Sequence, residues 1–337
     1  MFGIKSIYLD PKTKKFIKQF VDEINLEKYS QPLDCFICSG SNYKTINETD
    51  RYGLSYITGV CLACGHVQQF NYLNSEAHEI FYSSHYRNIY QTGTPEELFF
   101  RQYFKAAKKI DKFVGNIKYD FTLEIGCGPG GILKYFEKNK FSKVIGIDLD
   151  QRFLDYGIKE ELNLVNTSFE NFNTTKKFDL IIICHVLEHV QTPIEILKKV
   201  NSLLNEGGLV YIEVPSLESV NNGDYGGDLN NYFHIAHVSH FTEKSIKNLF
   251  NNSGYEIVKF NNSIQLLAKK SSKDFDEIKR DSSSLIYTEN LLKDINNKNV
   301  VTSIDNFKFI IIYIFRYLKI RKFLEIVKTK IFKFRYR

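Results

Sequence analysis

Between residues 100 and 270, short apolar runs alternate with segments whose apolar positions recur every three to four residues. The runs at 118–125, 143–148, 162–167, 178–184 and 209–214 are bounded by turn residues and read as strands buried on both faces. The helical patterns at 132–140, 152–161 and 193–204 lie between them. This alternation predicts a doubly wound α/β sheet with its ligand crevice at the carboxyl ends of the strands. Two last runs, 255–260 and 263–268, flank Asn261-Asn262 and predict an antiparallel hairpin at the sheet edge.

The end of the first run carries the candidate chemistry. Leu123-Glu124-Ile125-Gly126-Cys127-Gly128-Pro129-Gly130-Gly131 couples a strand to a glycine turn, and Asp148 closes the next strand. Such a turn brings the main chain against a nucleoside ligand, and the downstream acid accepts the two ribose hydroxyls. Gly126, Gly128 and Gly131 also satisfy the dinucleotide pattern GxGxxG. Glu124 argues against a dinucleotide: a carboxylate beside the turn repels a pyrophosphate and suits S-adenosylmethionine, which is cationic and lacks phosphate. Glu124, Gly126, Gly128 and Gly130 are expected around the methionine and ribose, Asp148 on the ribose diol, and Leu149, Ser168 and Phe169, with Glu170, around the adenine.

With Phe178–Val190, Pro193, Gly207-Gly208 and His237-Val238-Ser239-His240-Phe241-Thr242 following in order, the chain resembles class I methyltransferases over roughly residues 100–270, about half its length. The order is similar to the branch containing sugar and small-molecule enzymes. Methyl transfer needs alignment of nucleophile, methyl carbon and sulfur, and a base for the acceptor's proton. His185 and His237 are the candidate catalytic bases, His189 and His240 being assigned structural roles and Glu188 the anchoring of its loop.

Ahead of this region, Cys35-x-x-Cys38 and Cys61-x-x-Cys64-Gly65 supply four thiolates able to surround a structural zinc, with His66 a bystander. Two disulfides in a secreted protein are the alternative; no signal-peptide pattern precedes the cysteines, which favours thiolates and a cytoplasmic protein. Cys127 and Cys184 are expected to pack near the crevice. A zinc ribbon before a methyltransferase pattern resembles bacterial deoxysugar C-methyltransferases, in which ribbon and adjoining tyrosine-rich segment help cover the substrate. Tyr82, Tyr86 and Tyr90, four apart, and Arg87 are therefore candidates to hold a nucleotide-sugar, packing between domains being the alternative. Two departures stand out: only 67 residues follow Lys270, too few for the further α/β domain of those enzymes, and Ala236 precedes His237 where they place a glutamate. O-methylation is thus at least as plausible as C-methylation.

Of the 337 residues 43% are hydrophobic, enough for a full core and a small accessory unit. The net charge of +6 divides into +9 over residues 306–337 and −3 over the rest, so nucleic acid is not an expected partner of the body. The basic tail mixes aromatic and aliphatic residues in an amphipathic pattern suited to an anionic membrane surface or to packing on the body. The expected organisation is an extension (1–30), zinc ribbon (31–75), tyrosine-rich segment (76–98), methyltransferase domain (99–270), polar connection with one or two short helices (271–303) and helical tail (304–337). The expected function is methylation of a nucleotide- or lipid-linked sugar in bacterial surface polysaccharide synthesis. A quinone-type O-methyltransferase and a non-catalytic scaffold are the alternatives.

Overall fold

The computed structural model describes residues 11–25, 30–90, 93–115, 118–262, 264–275 and 281–301. The basic tail and its membrane expectation lie outside them. The central sheet has seven strands: β1 (Phe121–Ile125), β2 (Lys143–Asp148), β3 (Leu164–Asn166), β4 (Phe178–Cys184), β5 (Leu204–Glu213), β6 (Ser253–Asn261) and β7 (Gln265–Phe275). Their order is β6-β7-β5-β4-β1-β2-β3. Strands β1 to β5 pair in parallel, and β7 runs antiparallel to both β5 and β6. This is the expected Rossmann-like α/β fold, and the hairpin is present at its edge.

The continuous apolar run of β4 is explained by helices on both faces. Ile181 and Ile183 join one core with Ile196, Leu197 and Val200 of helix Pro193–Leu203 and Ile246 and Leu249 of helix Glu243–Asn251. Leu180 and Ile182 point the other way, to Leu133 and Phe136 of helix Gly131–Lys140 and Ile110 of helix Ala107–Val114. All four β4 side chains have no exposed surface, each contributing about 1.5–3 kcal/mol by burial.

The cysteine-bearing segment folds as an antiparallel sheet of Tyr43–Thr49, Ser55–Cys61 and Val67–Gln69. Its fourth strand is Ser239–His240, which pairs with Val67 and Gln68 from far along the chain. Among the described residues the polar connection holds a single helix, Ser282–Val301, longer than expected. Leu291, Leu292 and Ile295 bury against Tyr56, Val60 and Val67, which supplies through tertiary packing the stability its polar sequence lacks. Among the described residues no helix is long and apolar enough to cross a membrane.

Candidate functional site

The four cysteines converge. Cys35 Sγ lies 3.6 Å from Cys64 Sγ, and Cys38 Sγ lies 3.5 Å from Cys61 Sγ. A tetrahedral zinc with bonds of about 2.3 Å has sulfur–sulfur edges of about 3.8 Å, so the set fits such an ion, and all six cysteines are free thiols. Gly65, with φ +71°, turns the second knuckle against the backbone of Ser284, leaving only 2.6 Å for a Cβ. Buried His66 donates to or accepts from Ser239 Oγ at 3.2 Å, and burial pulls its pKa down to about 4.

At the carboxyl ends of β1, β2 and β4 lies a cavity of about 1100 Å³. Gly126 (φ +73°) turns the chain there, where a Cβ would sit 2.3 Å from Val186 Cγ2. Gly126, Gly128, Glu124, Asp148, Leu149, Ser168, Phe169 and Glu170 line the cavity. Gly130 does not; it is the left-handed cap of helix Gly131–Lys140. Glu124 is buried and its Oε2 has no hydrogen-bond partner among the described residues. Burial, and then the charge of Asp148, push its pKa well above the usual carboxylate range. Asp148 is engaged through both oxygens: Oδ2 accepts from Gly128 N at 2.8 Å, and Oδ1 from Asp150 N and Arg87 Nη2, both at 2.9 Å.

Arg87 therefore sits on the two acids Asp148 and Asp150. Its Nε also pairs with Asp150 at 2.9 Å, and its guanidinium lies 4.3 Å over the Phe153 ring. Tyr82 and Tyr86 line the cavity beside it, their ring centres 5.1 Å apart. Tyr90 continues the stack at 5.7 Å but faces inward, against His234 at 4.8 Å and Asp50 at 3.4 Å. A π-helical turn at Phe81–His85 interrupts the helical run that carries these residues.

His185 follows directly on β4 at φ +56°, an uncommon conformation for a residue with a Cβ. Its amide donates to Glu213 O at 2.8 Å, and its half-exposed ring faces the cavity. Nδ1 lies 3.4 Å from Glu188 Oε1 and Nε2 lies 3.8 Å from Glu213 Oε1. Burial pulls its pKa down, but these two acids outweigh it and the net shift is upward. His237, the other candidate base, is 10% exposed in its side chain and lies behind the cavity wall, 3.7 Å from the His234 ring. Burial and the neighbouring histidines hold it neutral, far below its usual pKa. His189 lines the cavity, with Nδ1 2.7 Å from Ala236 O. His240 is fully buried, its pKa lowered to about 3 by burial.

Several cavity residues escaped the sequence reading. Arg101, Lys105 and Lys109 line one wall, spaced four apart on the helical stretch 95–114. Lys109 pairs with Glu213 at 2.7 Å, whereas Arg101 and Lys105 have no ion-pair or hydrogen-bond partner among the described residues. Their spacing was the available signal.

Residues 99–259 match a family model described as a methyltransferase domain. Over 102 residues the chain is 36% identical to a ubiquinone biosynthesis O-methyltransferase of Actinobacillus pleuropneumoniae serotype 7 (strain AP76), a match covering 27% of this chain and 43% of that protein. Over 108 residues it is 30% identical to (S)-tetrahydroprotoberberine N-methyltransferase of Eschscholzia californica, covering 30% of this chain and 31% of that one. The chain thus spans less than half the length of these curated relatives. A crystal structure of a S-adenosylmethionine-dependent methyltransferase from Clostridium acetobutylicum ATCC 824 superposes with a TM-score of 0.40 and 15% identity, covering 53% of this chain and 92% of that one. The fold, the glycine loop and the family match together define residues 99–259 as a class I methyltransferase domain of the S-adenosylmethionine-dependent kind.

Proposed function

We propose that the chain is a methyltransferase that uses S-adenosylmethionine to methylate a hydroxyl of an anionic, sugar-like acceptor such as a nucleotide- or lipid-linked sugar, with a structural zinc on Cys35, Cys38, Cys61 and Cys64. The observation that carries the reading is the charge layout of the cavity. Among the described residues, a buried acid at one end has an oxygen without a partner, Glu124 Oε2, and two cations along the wall, Arg101 and Lys105, have none.

An orphaned carboxylate oxygen in a cavity calls for a donor, and the ammonium of the methionine portion supplies one. Asp148 accepts the ribose hydroxyls. Its carboxylate offers about four acceptor positions and three are already used, so Arg87 must withdraw for both hydroxyls to bind. Leu149 and Phe169 flank the base. The cofactor supplies an activated methyl group. His185 takes the acceptor's proton while Glu188 and Glu213 orient its ring and stabilise the imidazolium. Arg101 and Lys105 hold the acceptor's phosphate, and Tyr82 and Tyr86 its ring faces.

Ala236 leaves His237 without the preceding carboxylate of the deoxysugar C-methyltransferases, which favours oxygen over carbon as acceptor. A small-molecule or quinone-type acceptor, with phenols as its probes, is the second reading, favoured by the relative named for ubiquinone biosynthesis. The test is calorimetric titration of the zinc-loaded full chain with S-adenosylhomocysteine, NAD serving as comparison, followed by turnover with a panel of nucleotide-sugars and phenols. The double variant Arg101→Gln, Lys105→Gln should raise KM for a phosphorylated acceptor about tenfold or more. An unchanged KM, or turnover of phenols alone, contradicts the anionic acceptor; failure to bind the homocysteine ligand contradicts methyl transfer.

A further inference from the structure

Beneath His185 the structure brings together three side chains whose polar atoms do not satisfy one another. Glu188 is 1% exposed, and neither of its oxygens has a hydrogen-bond partner among the described residues. His189 Nε2 lies 3.9 Å and His237 Nε2 3.8 Å from Glu188 Oε1. A further polar approach to Glu188, His185 Nδ1 at 3.4 Å from Oε1, falls short of a hydrogen bond, and a buried carboxylate so poorly supplied with donors costs several kcal/mol.

The tautomer of His189 sharpens the mismatch. A main-chain carbonyl only accepts, so the 2.7 Å contact between Nδ1 and Ala236 O places the proton on Nδ1. In the neutral ring Nε2 then carries a lone pair, and a lone pair faces a carboxylate oxygen. Two acceptors in that relation call for a cation between them. A ring whose far N–H is held by a backbone carbonyl is also in the orientation that metal-ligating histidines adopt.

The scaffold is held in place independently. Gln69 Nε2 donates to the carbonyls of His234, Ile235 and His237 at 3.3, 3.0 and 2.8 Å. Val238 N donates to Glu188 O at 2.9 Å, tying the two loops together. The three ligand atoms already lie within 4.8 Å of one another. Bonds of about 2.1 Å to a tetrahedral ion need separations of about 3.4 Å, so the two contacts to Glu188 must shorten by roughly half an ångström and the imidazoles must approach one another by at most about 1.4 Å.

We propose that Glu188, His189 and His237 form a second metal site, separate from the four cysteines, for a divalent transition ion such as zinc, manganese or iron. Two imidazoles and one carboxylate suit ions of that borderline class and leave coordination positions open. His189 lines the cavity, so an open position faces the acceptor. On the methyl-transfer reading of this cavity, the ion binds the acceptor oxygen and lowers the pKa of its hydroxyl, whose proton passes to His185.

Cobalt(II) alone, added to the metal-stripped full chain, separates the two sites. Cobalt on four thiolates gives intense sulfur-to-metal charge transfer, whereas cobalt on nitrogen and oxygen gives only weaker visible bands. The wild type should take two equivalents, one of each kind. Glu188→Gln and His237→Asn should each take one, with the thiolate spectrum intact and the second set of bands lost. A single equivalent in the wild type, or a second that persists unchanged in both variants, overturns the proposal. The intact thiolate spectrum reports that each variant has folded. Because the readout is metal stoichiometry, two equivalents with no binding of S-adenosylhomocysteine would retain this site while removing the methyltransferase reading.

Discussion

Replacement of Glu124 by glutamine tests the cofactor end of the cavity most directly. Burial and the nearby charge of Asp148 raise the Glu124 pKa well above its usual value, so in the free protein this group keeps its proton into a range where other glutamates have lost theirs. Pairing with an ammonium requires the ionised form, so binding S-adenosylhomocysteine must release a proton. Affinity should then rise with pH, approaching tenfold per unit below the folded-state pKa and levelling above it. A charge-assisted hydrogen bond contributes about 1.5–3 kcal/mol, so Glu124→Gln should weaken binding by about 10- to 150-fold at the alkaline end and flatten the pH dependence. Stability changes in the opposite sense. A raised folded-state pKa contributes stability that is fully present below the unfolded value of about 4.3 and is lost as pH rises through the folded one, and the variant should lack that decline. The assay is calorimetry in two buffers of different ionisation heat, which counts protons directly. Equal proton release in wild type and variant, or equal affinity, would refute the assignment.

Arg87→Met keeps the stem over Phe153 but removes the guanidinium from Asp148, so S-adenosylhomocysteine should bind about tenfold more tightly while the melting temperature falls; weaker binding would mean that Arg87 stays and helps hold the ligand. Asp148→Ala should lose cofactor binding in the same titration, with retained affinity contradicting the ribose contact. Gly131→Ala would place a Cβ 2.1 Å from Phe99 O, a backbone atom, and should cost about 1–3 kcal/mol in denaturant unfolding; an unperturbed midpoint would show that segment 95–114 moves easily. Cys61→Ser should lower metal content at the thiolate site and the melting temperature together, and unchanged values would remove zinc from the fold.

Strands β1, β2 and β4 and the glycine loop were legible because a strand buried on both faces must be apolar throughout, and a turn against a ligand must carry glycine. The limits of β5 were not: Gly207-Gly208 reads as a turn, yet pairing with β4 begins at Leu204 and resumes at Leu209 across an irregularity. Helix Ser282–Val301 was underestimated because its apolar residues are few and matter only through their contact with Tyr56 and Val60. At the site, Asp148 and Glu124 could be named from position in the strand, since that position follows from chain order. The engagement of Asp148 by Arg87, and the burial of His237 behind His234, depend on how segments distant in sequence meet, and leave no periodic trace. Glu188 illustrates the same point: its neighbours in sequence suggest a loop anchor, whereas its spatial neighbours are three imidazoles.

The pairing of Ser239–His240 with Val67 and Gln68 means that the cysteine-bearing sheet takes its fourth strand from within residues 99–259. A protein cut at residue 99 would leave that strand without its ladder and would free the carbonyls that Gln69 holds. The boundary in sequence is therefore not a boundary in the sheet: any graft of the N-terminal segment must carry the strand 239–240 and the histidine loop along with it.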